Sequence, residues 1–308
     1  MTSFKYRDKE TLIHKLNPFS KLGWIISIII LALVLDNLFF LLMLFLATLP
    51  LVKVARVGME WRAFMKIALY LSAAVIIINA VVSSYGNHVI FEIPWQFPIL
   101  GAPILTLEAI IYGVAMSLRL LAIISAFALL TLTVNPDDMM LAMIKMKLPY
   151  KSVLVTSLST RFVPTLLEDV DRITDVQRSR GLELDKGRLI SRIKSRSSIV
   201  TALLSNSLER ATQVSEAMES RAFGTGRHRT FYRNINFTYI DILALVLTLL
   251  PAALGIFMAV NGYGQSEYYP SFSGMNLSQG EGWLLGLMGL LLIALLPLAY
   301  LKQRIDLD

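Results

Sequence analysis

The sequence predicts an all-α, polytopic membrane protein with about six transmembrane helices and a cytoplasmic insert of amphipathic helices. Three observations support this class. Of 308 residues, 55% are hydrophobic and only 17% are charged, whereas soluble domains carry about 25% charged residues. Several apolar runs approach the roughly 20 residues that cross a bilayer. One long segment between such runs is polar and strongly basic.

The apolar runs divide the chain into three regions. Residues 1–133 hold four membrane helices, residues 134–236 form a cytoplasmic domain, and residues 237–308 hold two further membrane helices. The chain contains no cysteine, which excludes disulfides, thiolate nucleophiles and cysteine-based metal sites. We expect the six spans at residues 22–36, 38–53, 64–84, 105–133, 239–260 and 283–301.

The first two apolar runs are predicted to be separate helices, because Asp36 and Asn37 interrupt them. Basic residues lie on both sides of this pair of runs. Cytoplasmic loops collect Lys and Arg, so both flanks are expected inside, with Asp36–Asn37 as an outer turn. The flanking residues are Lys5, Arg7, Lys9, Lys15 and Lys21 before the runs, and Lys53, Arg56, Arg62 and Lys66 after them.

The remaining loops follow the same charge rule. Residues 85–104 and residues 261–282 contain neither Lys nor Arg, and we expect both loops outside. Lys302 and Arg304 place the C-terminus inside. The sequence therefore predicts a multi-pass protein of a prokaryotic inner or plasma membrane, with both termini in the cytoplasm.

The basic charge is concentrated in the insert. Residues 145–233 contain 17 Lys and Arg residues and 9 Asp and Glu residues, a net charge of 17 − 9 = +8, although the whole chain carries +7. Such an excess beside a bilayer attracts anionic lipid and enforces topology. Nucleic-acid binding is disfavoured, because aromatic residues are sparse in the segment and acidic residues interrupt the basic ones.

A helix is predicted to begin after Asn135. Asn135 is a suitable N-cap, Pro136 fits the first helical position, and Asp137 and Asp138 complement the helix dipole. Adjacent aspartates also occur in the metal sites of prenyl-transferring membrane enzymes. Those sites need another carboxylate one turn on, where this chain has Met139–Leu141, so capping is the preferred interpretation.

Two longer amphipathic helices follow. Apolar residues recur on one face of each, which is typical of helices that pack on each other or lie under a membrane. We expect the first helix to bend or break at Pro164, and the two helices to be terminated by Gly181 and Gly224. The apolar stripes comprise Leu154, Leu158, Phe162, Leu166 and Val170 in the first helix, and Leu203, Leu204, Leu208, Ala211, Val214 and Met218 in the second.

Each of these helices ends in an arginine between two small residues. The arginines are 221 − 180 = 41 positions apart. A single arginine at a helix C-terminus is explained by the helix dipole. The duplication favours a further role, because small neighbours let a partner surface approach and a guanidinium fork binds acidic or carbonyl groups there. The two motifs are Ser179, Arg180 and Gly181, and Ser220, Arg221 and Ala222.

With these motifs, the sequence resembles the transmembrane T component of energy-coupling factor (ECF) transporters, the CbiQ and BioN type, over almost the whole chain. The stretch LIHKLNPFSKL is similar to the family's N-terminal Leu-Asp-Pro-x-x-Lys motif. The stretch TLTVNPDDMMLAMIKMKLP resembles the family's approach to its cytoplasmic helices. STRFVPTLLEDVDRITDVQRSRG and LERATQVSEAMESRAFG are similar to its two coupling helices, each of which ends in an Ala-Arg-Gly-like signature.

The resemblance implies a role for both arginine motifs. In the family they dock into grooves on two cytoplasmic ATPase subunits, and the membrane helices hold a separate S component that binds a vitamin or a metal ion. The T component transmits the ATP-driven closure of the ATPase pair into tilting of the S component. This sequence departs from the family pattern at Asn17, which replaces Asp, at Ser179 and Ser220, which replace Ala, and at Ala222, which replaces Gly.

No feature predicts catalysis, a cofactor or a metal site in this chain. The three histidines are scattered, and the GTG at residues 224–226 lacks the rest of a phosphate-binding loop, so ATP hydrolysis is assigned to partners. Arg119 lies deep in the fourth span without an acidic residue one turn away, and its partner must come from elsewhere. The alternatives are a conventional ABC importer permease, with one coupling loop per subunit, and a lipid-modifying membrane enzyme.

Overall fold

The computed structural model describes residues 9, 11–83, 86–92, 104–146, 149–181, 189–224, 238–269 and 278–305. This part of the chain is almost entirely helical, apart from the antiparallel strands β1 (Val89–Glu92) and β2 (Ile104–Thr106). The helices are α1 (Pro18–Val34), α2 (Leu38–Val54), α3 (Gly58–Val82), α4 (Leu107–Thr133), α5 (Pro136–Lys145), α6 (Tyr150–Ser179), α7 (Leu189–Ser220), α8 (Tyr239–Val260), α9 (Gln279–Ile293) and α10 (Leu295–Ile305).

The predicted class of all-α membrane protein is confirmed. Within the described residues, α3, α4, α8 and the stretch Gln279–Lys302 are long and apolar enough to cross a membrane, and α1 and α2 are apolar helices of 17 residues. Seventeen residues is the lower end of the range that spans a bilayer. The number of spans therefore stays a prediction.

Two prolines bear on the predicted helices. The last apolar run, expected as one helix, is interrupted at Ala294, three residues before Pro297. The Pro297 ring has no N–H for the carbonyl of Ile293 and crowds it, which favours a break there. The break expected at Pro164 does not occur, since α6 runs unbroken from Tyr150 to Ser179. The carbonyl left without its bond belongs to Thr160, which is exposed, so that water can satisfy it.

The chain divides into two compact units, Met1–Met139 with Ile235–Asp308, and Met140–Asn234. In the first unit, α3 packs along α4, α1 packs on α8, and α2 packs on α4 and α9. Its core contains the fully buried side chains of Trp24, Phe40, Leu44, Met258 and Leu292. In the second unit, α6 packs against α7.

A buried chain of hydroxyl groups joins three apolar helices of the first unit. The Thr48 hydroxyl in α2 donates to the Phe45 carbonyl at 2.7 Å. The Ser125 hydroxyl in α4, 2.7 Å from Thr48, must therefore donate its proton to Thr48. Ser125 in turn accepts from the Trp61 indole of α3 at 2.9 Å. Every donor in this chain has a partner, which is the condition for burying polar groups in an apolar core.

The N-terminal motif LNPFSK has a local explanation. The Asn17 side chain caps α1 by accepting the N–H of Phe19 at 3.1 Å, and Pro18 occupies the first helical turn. The Lys21 ammonium is buried and donates to the carbonyl of Thr133 at 2.8 Å, at the end of α4. Asn and Asp cap helices equally well, so Asn17 is suited to this position.

Candidate functional site

The first arginine motif forms the C-terminal end of α6. Ser179 is the last helical residue, Arg180 is the C-cap, and Gly181 adopts a left-handed φ of +83°. The N–H of Gly181 donates to the Arg178 carbonyl at 2.9 Å, which is one of the two bonds of a Schellman helix ending. A Cβ at Gly181 would meet nothing within 4 Å. Within the described chain, glycine therefore favours the backbone conformation at this position and is not needed for space.

The second arginine motif ends α7 in the same way. The helix ends at Ser220, the arginine follows, and Ala222 adopts a left-handed φ of +54°. The N–H of Ala222 donates to the Glu219 carbonyl at 2.8 Å, and the N–H of Phe223 donates to the Met218 carbonyl at 2.9 Å. These two bonds make a complete Schellman ending.

The expectation that Gly224 terminates the second helix is wrong. Gly224 also has a positive φ, of +97°, but it lies two residues beyond the left-handed Ala222. The hydrogen bonds of Ala222 and Phe223 fix the helix end at the arginine. Arg180 and Arg221 consequently occupy the same position, between the last helical residue and a left-handed residue, in spite of the Ala-for-Gly departure.

Both arginine side chains are available to a partner. Arg180 and Arg221 are exposed, as are Gly181 and Ala222 beside them. Among the described residues, neither guanidinium has a side-chain hydrogen bond or an ion pair. The hydroxyls of the preceding serines turn back onto their own helices, Ser179 to the Asp175 carbonyl and Ser220 to that of Ala217, both at 3.0 Å. Each motif thus presents an exposed guanidinium group between residues with small side chains.

Replacing Ala222 with glycine is expected to stabilise the end of α7. The left-handed conformation costs a residue with a Cβ about 1–2 kcal/mol, and glycine avoids this cost but loses about 0.4–1 kcal/mol through the entropy of the unfolded chain. We expect a net local gain of about 0.5–1 kcal/mol. Amide hydrogen exchange across the end of α7 should therefore slow by roughly two- to fivefold.

The matched control for Ala222→Gly is Gly181→Ala, which places a Cβ on the equivalent residue of α6. Its φ of +83° is unfavourable for alanine, so exchange at the end of α6 should become faster. Unchanged or faster exchange in Ala222→Gly would show that the left-handed Ala222 is not strained.

Arg119 in α4 is bound by the turn between α1 and α2. Its Nη2 donates to the Asp36 carboxylate Oδ1 at 2.5 Å and to the Leu35 carbonyl at 3.2 Å. The Arg119 side chain is 18% exposed and that of Asp36 43%. The sequence predicts only a turn at Asp36 and not its contact with Arg119. One sequence feature could have indicated the Arg119–Asp36 contact. A single acidic residue separates two apolar runs, and one arginine lies deep in another apolar run.

Residues of the loop that follows α8 form hydrogen bonds with the same turn. The Tyr268 hydroxyl donates to the Asp36 carbonyl at 2.5 Å, and the N–H groups of Asp36 and Asn37 donate to the Gly264 carbonyl at 3.1 and 3.0 Å. Burial, and secondarily the Asp36 carboxylate, raises the pKa of Tyr268 to about 12. The phenol therefore remains a proton donor at physiological pH.

The Asp137–Asp138 pair begins α5 as a capped helix. The Asn135 side chain accepts the N–H of Asp137 at 3.1 Å, and the Asn135 carbonyl accepts the N–H of Met139 at 3.0 Å. In the part of the chain that the structure describes, no group of three or more His, Cys, Asp or Glu side chains could hold a metal ion. This geometry agrees with capping as the role of the pair.

These features define a class: an all-α, polytopic membrane protein with a second helical unit whose two long helices end in equivalent arginine caps. A family model described as Cobalt transport protein (CbiQ) matches residues 9–232. The energy-coupling factor transporter transmembrane protein EcfT of Streptococcus equi subsp. equi (strain 4047) is 30% identical over 264 residues, covering 82% of this chain and 94% of that protein.

Two further relatives carry the same name. Those of Staphylococcus aureus (strain 04-02981) and Bacillus subtilis (strain 168) are each 28% identical, cover 82% of this chain, and are themselves covered to 95% and 96%. The chain belongs to the CbiQ family of energy-coupling factor transporter transmembrane proteins. The family predicted from the sequence motifs is thereby confirmed, and its role is that of an ECF transporter T component.

Proposed function

We propose that this chain is the coupling subunit of an ECF-type ABC importer. It binds two cytoplasmic ATPase subunits through the motifs at Arg180 and Arg221, and it holds a membrane-embedded S component that binds a vitamin or a metal ion. ATP-driven motion of the ATPases reaches the S component through this chain, which hydrolyses no ATP itself. The observation that carries the proposal is the duplicated helix ending, which presents two exposed guanidinium groups in one backbone geometry.

Helix length suits α6 and α7 to transmit displacement. With 30 and 32 residues, they extend over about 45 and 48 Å at 1.5 Å per residue. A docked arginine at the end of such a rod is rigidly connected to residues many turns away. Two docking points on one chain also make binding bivalent, which raises avidity without any new contact.

The proposed arrangement in the cell follows from the charges. Residues 1–133 and 237–308 form the membrane part, and residues 134–236 form the coupling domain on the cytoplasmic side of a prokaryotic cell membrane, together with both termini. The net charge of 17 − 9 = +8 between residues 145 and 233 supports this orientation, because it also favours contact with anionic lipid headgroups.

Purification of the tagged chain from its own cells in a mild detergent tests this function. We expect one copy of the chain with two ATPase subunits and one small membrane protein that carries a bound small molecule, as determined by native mass spectrometry. A complex that contains two copies of this chain and no S component would instead identify a conventional ABC importer permease.

A further inference from the structure

The two long helices of the second unit are an internal repeat with an offset of 41 residues. The offset that relates Arg180 to Arg221 also relates Glu168 to Glu209 and Thr160 to Thr201. It also relates part of the less exposed faces of the two helices, whereas Ser157, Thr165, Val170 and Thr174 of α6 correspond to exposed residues of α7. On these faces, Leu158, Phe162, Leu166, Ile173 and Gln177 of α6 correspond to Ile199, Leu203, Ser207, Val214 and Met218 of α7.

One pair of equivalent residues is in direct contact. Asp169 in α6 and Arg210 in α7 are 210 − 169 = 41 positions apart, and the Arg210 Nη2 donates to the Asp169 Oδ2 at 2.7 Å. In a two-fold arrangement, a residue meets its own counterpart only at the axis. The ion pair therefore lies where a local pseudo-two-fold axis relating α6 to α7 would pass.

The two arginine caps lie at equal distances from this axis. Arg180 is 180 − 169 = 11 residues beyond the ion pair, and Arg221 is 221 − 210 = 11 residues beyond it. At 1.5 Å per residue, each arm is about 16 Å long. Two equal arms on either side of an axis fit a partner whose own two grooves are related by a two-fold or pseudo-two-fold axis.

We propose that Asp169 and Arg210 are positioning residues, whose ion pair fixes the crossing of α6 and α7 and thereby the distance between Arg180 and Arg221. This inference rests on the proposed function, in which the two arginines enter equivalent grooves on an ATPase pair. Beyond that function, we infer that the contact between Asp169 and Arg210 sets the distance between the two docking motifs, although it is remote from both motifs.

The lengths of the arms make the crossing angle critical. For any crossing angle up to 90°, a change of about 10° moves the ends of two 16 Å arms by about 2–3 Å relative to each other. The hydrogen bonds of a guanidinium fork tolerate a few tenths of an ångström. A modest loss of angular control would therefore remove one arginine from its groove while the other remains bound.

An ion pair controls this crossing better than apolar packing alone. Apolar contacts are non-directional, and Leu204 and Leu208 of the predicted α7 stripe are exposed, so that the apolar residues alone set the crossing only loosely. The Asp169 side chain is only 11% exposed and that of Arg210 30%. A carboxylate in this position needs its partner, and a charge-assisted bond has a preferred direction. Fixing register is the best-attested role of such buried polar contacts.

Spin-label distances test the positioning directly in the full-length chain. The chain has no cysteine, so that Asp175→Cys and Glu216→Cys, at equivalent exposed positions, provide two unique labelling sites. We expect one narrow distance distribution in the otherwise unchanged chain. Asp169→Arg and Arg210→Asp should each shift or broaden it by several ångströms, because like charges then face each other at the axis.

The charge swap Asp169→Arg with Arg210→Asp should restore the narrow distribution, since the two positions are equivalent in the repeat. Glu168→Arg, an exposed charge reversal beside the pair, is the matched control and should change nothing. Asp169→Asn removes the charge with little change of volume and covers the case in which a reversal fails to fold. Unchanged distances in Asp169→Asn and in both reversals would overturn the proposal.

Binding of the ATPase pair tests the consequence of the positioning. Each charge reversal keeps both arginine caps, but it should lower the affinity for the ATPase pair roughly tenfold, which is part of the 10²–10⁴ avidity gain of bivalent docking. Less substrate should then be transported per ATP hydrolysed. The swap should regain both. Altered distances with unaffected ATPase binding would overturn the positioning role, whereas ATPases that fail to bind even the unmodified chain would overturn the proposed function and leave the distance result standing.

Discussion

Replacing both Arg180 and Arg221 with alanine is expected to abolish copurification of the ATPases and uptake of the transported substrate. Each charge-assisted hydrogen bond lost in a partly desolvated groove costs about 1.5–3 kcal/mol, a factor of roughly ten to a hundred in affinity. Each single alanine variant should therefore bind more weakly but measurably, because the remaining motif still holds the complex. The double variant loses both attachment points and the avidity that joins them.

The alanine substitutions should leave the fold intact. Both arginines are exposed C-cap residues, and the bonds that end the two helices come from backbone groups of Gly181, Ala222 and Phe223. Removing a cation from a helix C-terminus costs about 0.3–1 kcal/mol. Gel filtration and circular dichroism of each purified variant should therefore match those of the unmodified chain.

Three further variants sharpen this experiment. Lysine at Arg180 or Arg221 should rescue poorly, because it offers a point charge where a planar fork is needed. Ser179→Leu should weaken docking by its bulk without the backbone strain that a side chain at Gly181 would cause at φ +83°. Arg172→Ala, which removes another exposed arginine of α6, should bind the ATPases normally. If the double alanine variant retained both ATPases at the yield of the unmodified chain, these motifs would not be the docking sites.

Features with a local sequence signal could be predicted, and the helices of the first unit are examples. The apolar runs predict α1 and α2, whereas the caps Asn17 and Asn37, which accept backbone N–H groups, are not predicted, and α1 begins at Pro18 instead of residue 22. The Asp36–Asn37 interruption likewise coincides with the turn between the two helices. Caps and apolar length act within a few residues, so that they can be identified in one sequence without any tertiary information.

Features that depend on tertiary contacts could not be predicted in this way. The Arg119–Asp36 pair joins residues 119 − 36 = 83 positions apart, and no periodicity links them. The left-handed Ala222 was missed because glycine is the usual signal for a positive φ, and that signal pointed to Gly224. The offset of 41 residues, used only for the two arginines, would have indicated Ala222 as the counterpart of Gly181 and paired Asp169 with Arg210.

Arg119→Leu is expected to destabilise the first unit by about 1–3 kcal/mol. Breaking a fully buried ion pair costs about 3–5 kcal/mol, and the 43% exposure of the Asp36 side chain lowers this cost because water can solvate the carboxylate that remains. The Leu35 carbonyl also loses its side-chain donor. In detergent, the melting temperature should fall by several degrees, and exchange of the amides of residues 35–37 should become faster.

A double-mutant cycle separates the ion pair from the volume of the arginine side chain. Adding Asp36→Asn to Arg119→Leu should recover part of the loss, because an amide left without a partner is less costly than a carboxylate. Tyr268→Phe, which removes only the hydroxyl that donates to the Asp36 carbonyl, should produce a smaller loss in the same direction. If Arg119→Leu alone melted at the temperature of the unmodified chain, the contact with Asp36 would contribute nothing to stability. Arg119 would then have a role other than stabilising the first unit.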